Sequence, residues 1–142
     1  MNIKYMELVN ELALNAGKNG EVPIAAVIVE NEKILGVGIN DREMSNHIHG
    51  HAEINAINEA TEKLKTWKLN DCEIYISTEP CLMCYGAIKQ SRIKKIFVGS
   101  RQDENKNICF TKYIKDAKSL DYSLVNDMSA KIIKDFFKEK RR

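Results

Sequence analysis

Residues 22–30 read Val22-Pro23-Ile24-Ala25-Ala26-Val27-Ile28-Val29-Glu30, an apolar run broken by no polar side chain before its last residue. A strand wetted on one face alternates apolar and polar residues; a continuous β-branched run is expected of a strand covered on both. Asn31-Glu32 then turns the chain into KILGVGI (33–39), a hairpin partner. Upstream, Ile3, Met6, Val9, Leu12, Ala13 and Ala16 recur at three- and four-residue spacings, which predicts an amphipathic helix over 3–16, ending near Gly17 and Gly20. Downstream, NDREMSNHIHG (40–50) reads as a polar loop, and 51–65 as a helix with Ile54, Ile57 and Leu64 on one stripe. CEIYIS (72–77) and KKIFVGS (94–100) are strands, and between them 81–91 is a short helix with Pro80 near its first turn. FTKYIKDAK (110–118) suggests a short helix, LDYSLV (120–125) a strand, and 127–140, with Met128, Ile132, Ile133, Phe136 and Phe137, a closing helix. This order predicts a three-layer α/β/α sandwich around a five-stranded mixed sheet. No repeat, linker or low-complexity segment interrupts it, so residues 1–142 are expected to form one domain.

With 44% hydrophobic and 30% charged residues the chain has the balance of a water-soluble globular protein. No apolar run approaches the roughly 20 residues of a membrane span, and MNIKYMELVN lacks the pattern of a signal peptide. Cys72, Cys81, Cys84 and Cys109 are too few and too unevenly spaced for a disulfide framework, which points to a reducing cytoplasm. The net charge is only +2, yet residues 1–60 hold 4 Lys and Arg against 9 Asp and Glu, and residues 88–142 hold 15 against 7. Such asymmetry suggests a polyanionic partner, its ordinary rival being a solvated basic face.

Residues 79–84, Glu79-Pro80-Cys81-Leu82-Met83-Cys84, place two thiols two residues apart at a helix start. The helix dipole favours their thiolates, and both sulfurs can reach one ion about 2.3 Å away. With His51, which opens the preceding helix, they make three ligands and leave a fourth tetrahedral position for water. Glu53, two residues on, can face that water as a proton carrier, the arrangement that metal-assisted hydrolysis uses. Two alternatives stand beside this one. His47 with His51, Cys81 and Cys84 would make a closed structural site, and so a non-catalytic zinc-stabilised module, but would leave Glu53 without a role. A redox dithiol would want a thioredoxin-like unit, and no segment of the chain resembles one.

His51-Ala52-Glu53, then 26 residues, then Pro80-Cys81-Leu82-Met83-Cys84 resembles the established signature of the zinc-dependent nucleobase deaminases of the cytidine deaminase-like superfamily. EVPIAAVIV, Asn40 after the second strand, and GAIKQSRIKKIFVG after the cysteines make it most similar to the bacterial tRNA-specific adenosine deaminases. The resemblance runs from about residue 3 to 100. It implies a zinc ion on His51, Cys81 and Cys84, with its bound water as nucleophile. Glu53 would shuttle protons, and the Ala52 N–H and the Asn40 side chain would hydrogen-bond the base. Glu21, Val22 and Pro23 would line the pocket floor and entrance. It further implies a homodimer that converts adenosine to inosine at the tRNA wobble position, the base arriving in an anticodon loop.

Four features depart from the tRNA type. His49-Gly50 stand where Thr-Ala is usual, Thr78 where Leu is, Gln102 where Asp is, and RQDENKNICF (101–110) replaces a Gly- and Ala-rich loop. Since TEPC is common among enzymes of small substrates, free guanine, cytosine or a nucleoside is the alternative substrate. Cys72 and Cys109 read as small core residues, Trp67 as packing at the end of the second long helix, and the 132–137 stripe as core or dimer contact. Phe110 and Tyr113 are candidates for stacking on an RNA base.

Overall fold

The apolar run becomes β1 (Ala25–Glu30), starting three residues later than the sequence suggests because Val22–Ile24 belong to its approach. Both faces of β1 are covered. Ala26 and Ile28 belong to one apolar cluster, while Ala25, Val27 and Val29 belong to another on the opposite side of the sheet. The computed structural model describes residues 1–102 and 120–140, so the expected 110–118 helix, Cys109, Phe110 and Tyr113 lie outside the described residues. β2 (Lys33–Ile39) pairs antiparallel with β1 through a two-residue turn. Asn31 and Glu32 both have positive φ, 48° and 63°, the conformation that matches the right-handed twist of a hairpin. β3 (Glu73–Ile76) pairs antiparallel with the other edge of β1, and β4 (Lys95–Val98) parallel with β3. β5 (Leu120–Asp121) adds a parallel edge, giving the order β2-β1-β3-β4-β5. The sheet is five-stranded and mixed, as expected. The last strand is shorter than 120–125, because Asp121 accepts the Ser123 N–H at 2.8 Å and turns the chain away.

Helices cover both faces. α1 (Ile3–Lys18) and α5 (Asp127–Lys140) pack on one side, where Met6, Val9, Ala13 and Ile132 meet Tyr75 and Phe97. Tyr75 and Phe97 stack with ring centroids 4.7 Å apart. Asn126 starts α5 by accepting the Ser129 N–H at 2.8 Å, and buried Ser129 donates its hydroxyl to Asn10 of α1 at 2.6 Å. α3 (Ala52–Leu64) and α4 (Leu82–Gln90) pack on the other side. α2 (Arg42–Ser45) is a single turn within the stretch read as loop. Periodicity cannot reveal four residues; the turn exists because the Glu21 carboxylate accepts the N–H groups of Glu43 and Met44, each at 3.0 Å.

The inner stripe of α3 is Ala52, Glu53, Ala56 and Ala60, with Ile54, Ile57 and Leu64 only half-buried beside it. Small residues let the helix sit directly on β2, whose Gly36 and Gly38 lie beneath. A Cβ at Gly38 would stand 2.5 Å from the Ala56 nitrogen and closer still to the Ala52 carbonyl oxygen. Both atoms are backbone and cannot swing aside. Gly38→Ala should therefore destabilise the fold by about 3 kcal/mol, at the upper end of overpacking costs. Thermal unfolding measures this, and a shift of less than about 2 °C, well under what such a loss implies, would show that α3 is free to move outward.

Candidate metal centre and substrate cleft

His51 is the N-cap of α3 and Cys81 the N-cap of α4, with Cys84 three residues into α4. Two adjacent helices thus point their N-termini at one spot, and the chain places a candidate ligand at each. His51 Nδ1 lies 3.3 Å from Cys84 Sγ and 3.7 Å from Cys81 Sγ. The three ligand atoms lie within 4.8 Å of one another. A tetrahedral zinc with bonds of roughly 2.0–2.3 Å holds neighbouring ligand atoms about 3.6 Å apart, so this donor set fits zinc in chemistry and in size. Cys84 is buried and Cys81 partly so. Cys81 is held far below an ordinary thiol, at about 4, chiefly because the Cys84 thiol donates to it, with His51 assisting. That same hydrogen bond, with burial, pushes Cys84 up. One thiolate is therefore preformed, and binding a metal would require the second proton to leave.

His47 is not part of the group. It is exposed and stacks on His49 with ring centroids 4.9 Å apart. The four-ligand closed site is not assembled among the described residues. Instead the outer nitrogen of His51 meets Arg42, whose Nη2 lies 2.6 Å from Nε2 and also donates to the Ile48 carbonyl at 2.8 Å. Arginine only donates, so in this arrangement Nε2 accepts and the ring proton sits on Nδ1; a metal held through Nδ1 would require that proton to leave as well. No spacing rule points to Arg42, since nothing in the sequence marks α2.

Glu53 sits in the first turn of α3 and is 3% exposed. Burial, the largest influence, lifts its carboxyl to about 7; a backbone hydrogen bond opposes this, and the Cys81 charge adds to it. Its side chain also hydrogen-bonds Cys84, which places it beside the ligands. A carboxyl that titrates near neutrality can both give and take a proton at working pH. Asn40 and Ala52 are brought together: the Asn40 Oδ1 accepts the Ala52 N–H at 2.9 Å.

From His51 and Cys81 a cleft of about 1000 Å³ opens along α5. Val22, Thr78, Gln102 and Ile133 are among its walls, with Arg101, Lys134 and Lys138. Glu21 and Pro23 do not line it. The Glu21 carboxylate is spent on α2, and Pro23 faces a separate groove between α1 and α5, alongside Gly17. The 132–137 stripe also divides: Ile132 enters the core while Ile133 and Phe137 wall the cleft. A helical stripe does not say which of its edges meets a cavity.

Two of the four departures have a structural reason. A Cβ at residue 50 would stand 2.6 Å from the Asp41 Oδ1 and 2.9 Å from the Arg42 nitrogen, so glycine suits the close turn that α2 makes there. Gln102 holds the loop to Glu79, its N–H reaching the buried carboxylate at 2.7 Å and its Nε2 the Glu79 carbonyl at 2.9 Å. The Tyr122 hydroxyl takes the other carboxylate oxygen at 2.6 Å. Glu79, which opens the cysteine motif without a chemical task in it, is thus the hub that fixes Pro80-Cys81 against the 100–102 segment.

Cys72 is buried and its thiol is raised to about 11, mainly by burial, as suits an inert core residue. Trp67 is not packing: it is 55% exposed. No helix among the described residues is long and apolar enough to cross a membrane.

Comparison with known proteins shows what the whole chain is similar to. A tRNA-specific adenosine deaminase of Buchnera aphidicola subsp. Schizaphis graminum is 37% identical over 142 residues, covering 96% of this chain and 94% of the relative. One of Rickettsia bellii is 35% identical, covering 95% and 98%. Among solved structures, a tRNA:A34 deaminase studied for A-to-I editing at the wobble position of transfer RNA superposes with a TM-score of 0.68 at 35% identity, covering 70% of this chain and 76% of that one. The guanine deaminase of Bacillus subtilis superposes at 0.71 with 27% identity, covering 100% and 96%. The MafB19-like deaminase family matches residues 2–141. Two converging helix starts carrying His, Cys and Cys, a buried Glu between them and a match over nearly the whole length give one conclusion: the chain belongs to the MafB19-like deaminase family and is a deaminase.

Proposed function

We propose that this deaminase hydrolyses the 6-amino group of the wobble adenosine of tRNA, yielding inosine and ammonia. The observation that carries the choice of substrate is the basic wall of the cleft. Arg101, Lys134 and Lys138 line the same cleft as His51 and Cys81, where an uncharged free base has no use for them and an RNA backbone does. The relatives named as tRNA-specific adenosine deaminases support the same reading. An anticodon loop offers a base that is already unpaired, so drawing it into a pocket costs little.

His51, Cys81 and Cys84 would hold one zinc ion. Zinc there supplies hydroxide at neutral pH by acidifying a water. The chain's own residues do the rest. Glu53 would take a proton from the attacking water and give it to the ring nitrogen, then take the proton of the added hydroxyl and deliver it to the departing amine as the C–N bond breaks. The Asn40 side chain would turn from the Ala52 N–H to the base, leaving that fixed N–H free to donate to the base as well. Val22 and Thr78 flank the base, and Gln102 steadies the adjoining rim through Glu79. Met44, Ile48, Leu82 and Met83 are exposed apolar residues on the segments flanking the site, and they support a homodimer formed over that surface.

The test is an ammonia-release assay of an anticodon stem-loop beside free adenine, guanine, cytosine and their nucleosides. Turnover of free guanine or cytosine with none of the stem-loop would overturn the assignment in favour of a free-base enzyme. Lys134→Gln with Lys138→Gln should weaken stem-loop binding and flatten its salt dependence by just under one log unit per log unit of salt for each phosphate no longer held. Zinc content should not change. An unaltered salt slope would mean that the two lysines are only a solvated helix face.

A further inference from the structure

α3 and α4 both begin at the candidate ligand group and run away from it for 13 and 9 residues, about 20 and 14 Å at 1.5 Å per residue, toward the far side of the molecule. There the loops that follow them lie side by side. The Leu69 N–H donates to the Ser91 carbonyl at 2.8 Å, and the Lys94 N–H to the Cys72 carbonyl at 3.1 Å. Trp67 stands on this surface, with Lys68 Nζ 5.6 Å and Arg92 Cζ 5.8 Å from its ring centroid. Residues 61–70 and 88–95 together hold seven Lys and Arg against one acid, Glu62; Asp71 is the next acid along.

Part of this has an ordinary cause. Lys65 and Arg92 follow the C-termini of the two helices in the left-handed region, at φ 56° and 71°, and cations there oppose the helix dipoles. That accounts for charge and leaves the indole without a task. Leu69 and Ile93 already provide the packing at this end, at 1% and 3% exposure. One exposed apolar residue is common by itself; an exposed indole set among cations matches the two surfaces that a nucleic-acid strand carries, a π-face and a phosphate. An acidic peptide would use the lysines and gain nothing from the ring.

We propose that Trp67, Lys68 and Arg92 form a second RNA contact at this far end, where an unpaired base stacks on the indole and the adjoining phosphates lie against the two cations. Only the choice of RNA over DNA rests on the reading of the cleft above. The contact is too distant to touch the base under reaction and would hold a different stretch of RNA.

Trp67 is the single tryptophan of the chain, so its fluorescence reports on this patch alone. The zinc-loaded protein is titrated at low salt with decauridylate, which has no amino group to lose. The expected result is saturable quenching, weakening with salt by about 0.7 log units per log unit for each phosphate held. Lys68→Gln with Arg92→Asn, asparagine being tolerant of the left-handed backbone at 92, should lower that slope accordingly. With a labelled decauridylate, Trp67→Phe should bind within a few-fold of wild type and Trp67→Ala about tenfold or more weakly. Absence of saturable quenching overturns the proposal, whether or not the stem-loop is deaminated. Equal quenching and competition by polyglutamate also overturns it, leaving a bare cationic surface. Conversely, quenching without stem-loop deamination leaves this contact standing and removes the tRNA assignment.

Discussion

Glu53→Gln should keep about one zinc per chain and a normal unfolding transition while losing turnover by roughly 10²- to 10⁴-fold or more, the usual worth of a general acid–base group. The expected loss lies at or beyond the upper end, because one carboxyl serves successive transfers. Glutamine has nearly the same shape, fills the same buried place in the first turn of α3 and can still hydrogen-bond to Cys84. It cannot move a proton. Burial, which lifts the Glu53 carboxyl to about 7, also prevents solvent buffer from taking its place at the reacting atoms. The measurement is stem-loop deamination under single-turnover conditions, with metal analysis on the same sample. Activity within tenfold of wild type would take Glu53 out of the reaction.

The second large effect concerns the ligands. Cys84→Ala and His51→Ala should each drop zinc from about one per chain to near zero after dialysis against a chelator, and abolish activity with it. Three ligands leave no redundancy, and the two that remain cannot complete a tetrahedral set. Cys84→Ala is the cleaner variant, since it removes only a buried sulfur and leaves the stacking of α4 on the sheet in place. His47→Ala, by contrast, should keep zinc and activity, because His47 stacks on His49 away from the sulfurs. Equal zinc loss in His47→Ala and His51→Ala would restore the closed structural site.

Much of this is legible in the sequence because short-range rules govern it. The short β-branched run 25–29 reads as a strand with two dry faces, and Asn31-Glu32 as a tight hairpin turn, and both are found. The His-x-Glu and Cys-x2-Cys spacings mark helix starts, and the helix starts bring the ligands together. What a sequence reading misses is fixed by contacts distant along the chain. Glu21 makes α2 by reaching 22 residues forward, and Arg42 reaches His51 only because of that turn. Glu79 draws Gln102 and Tyr122 to itself, which no local pattern encodes. Trp67 departs from expectation for another reason. Hydrophobicity predicts burial on average, but here Leu69 closes the core and leaves the indole outside.

The ligands' position on helix starts, with the bodies of those helices packed on the sheet, has a kinetic consequence. The grouping of His51, Cys81 and Cys84 is built by the fold and needs no ion, unlike the site of a small zinc finger, which collapses when its metal leaves. Ala56, Ala60 and Ile88 hold the two helices in register whether or not an ion is bound. Ion exchange should then follow ligand protonation and solvent access, with no global unfolding step, so that metal-free protein recaptures metal without having to refold.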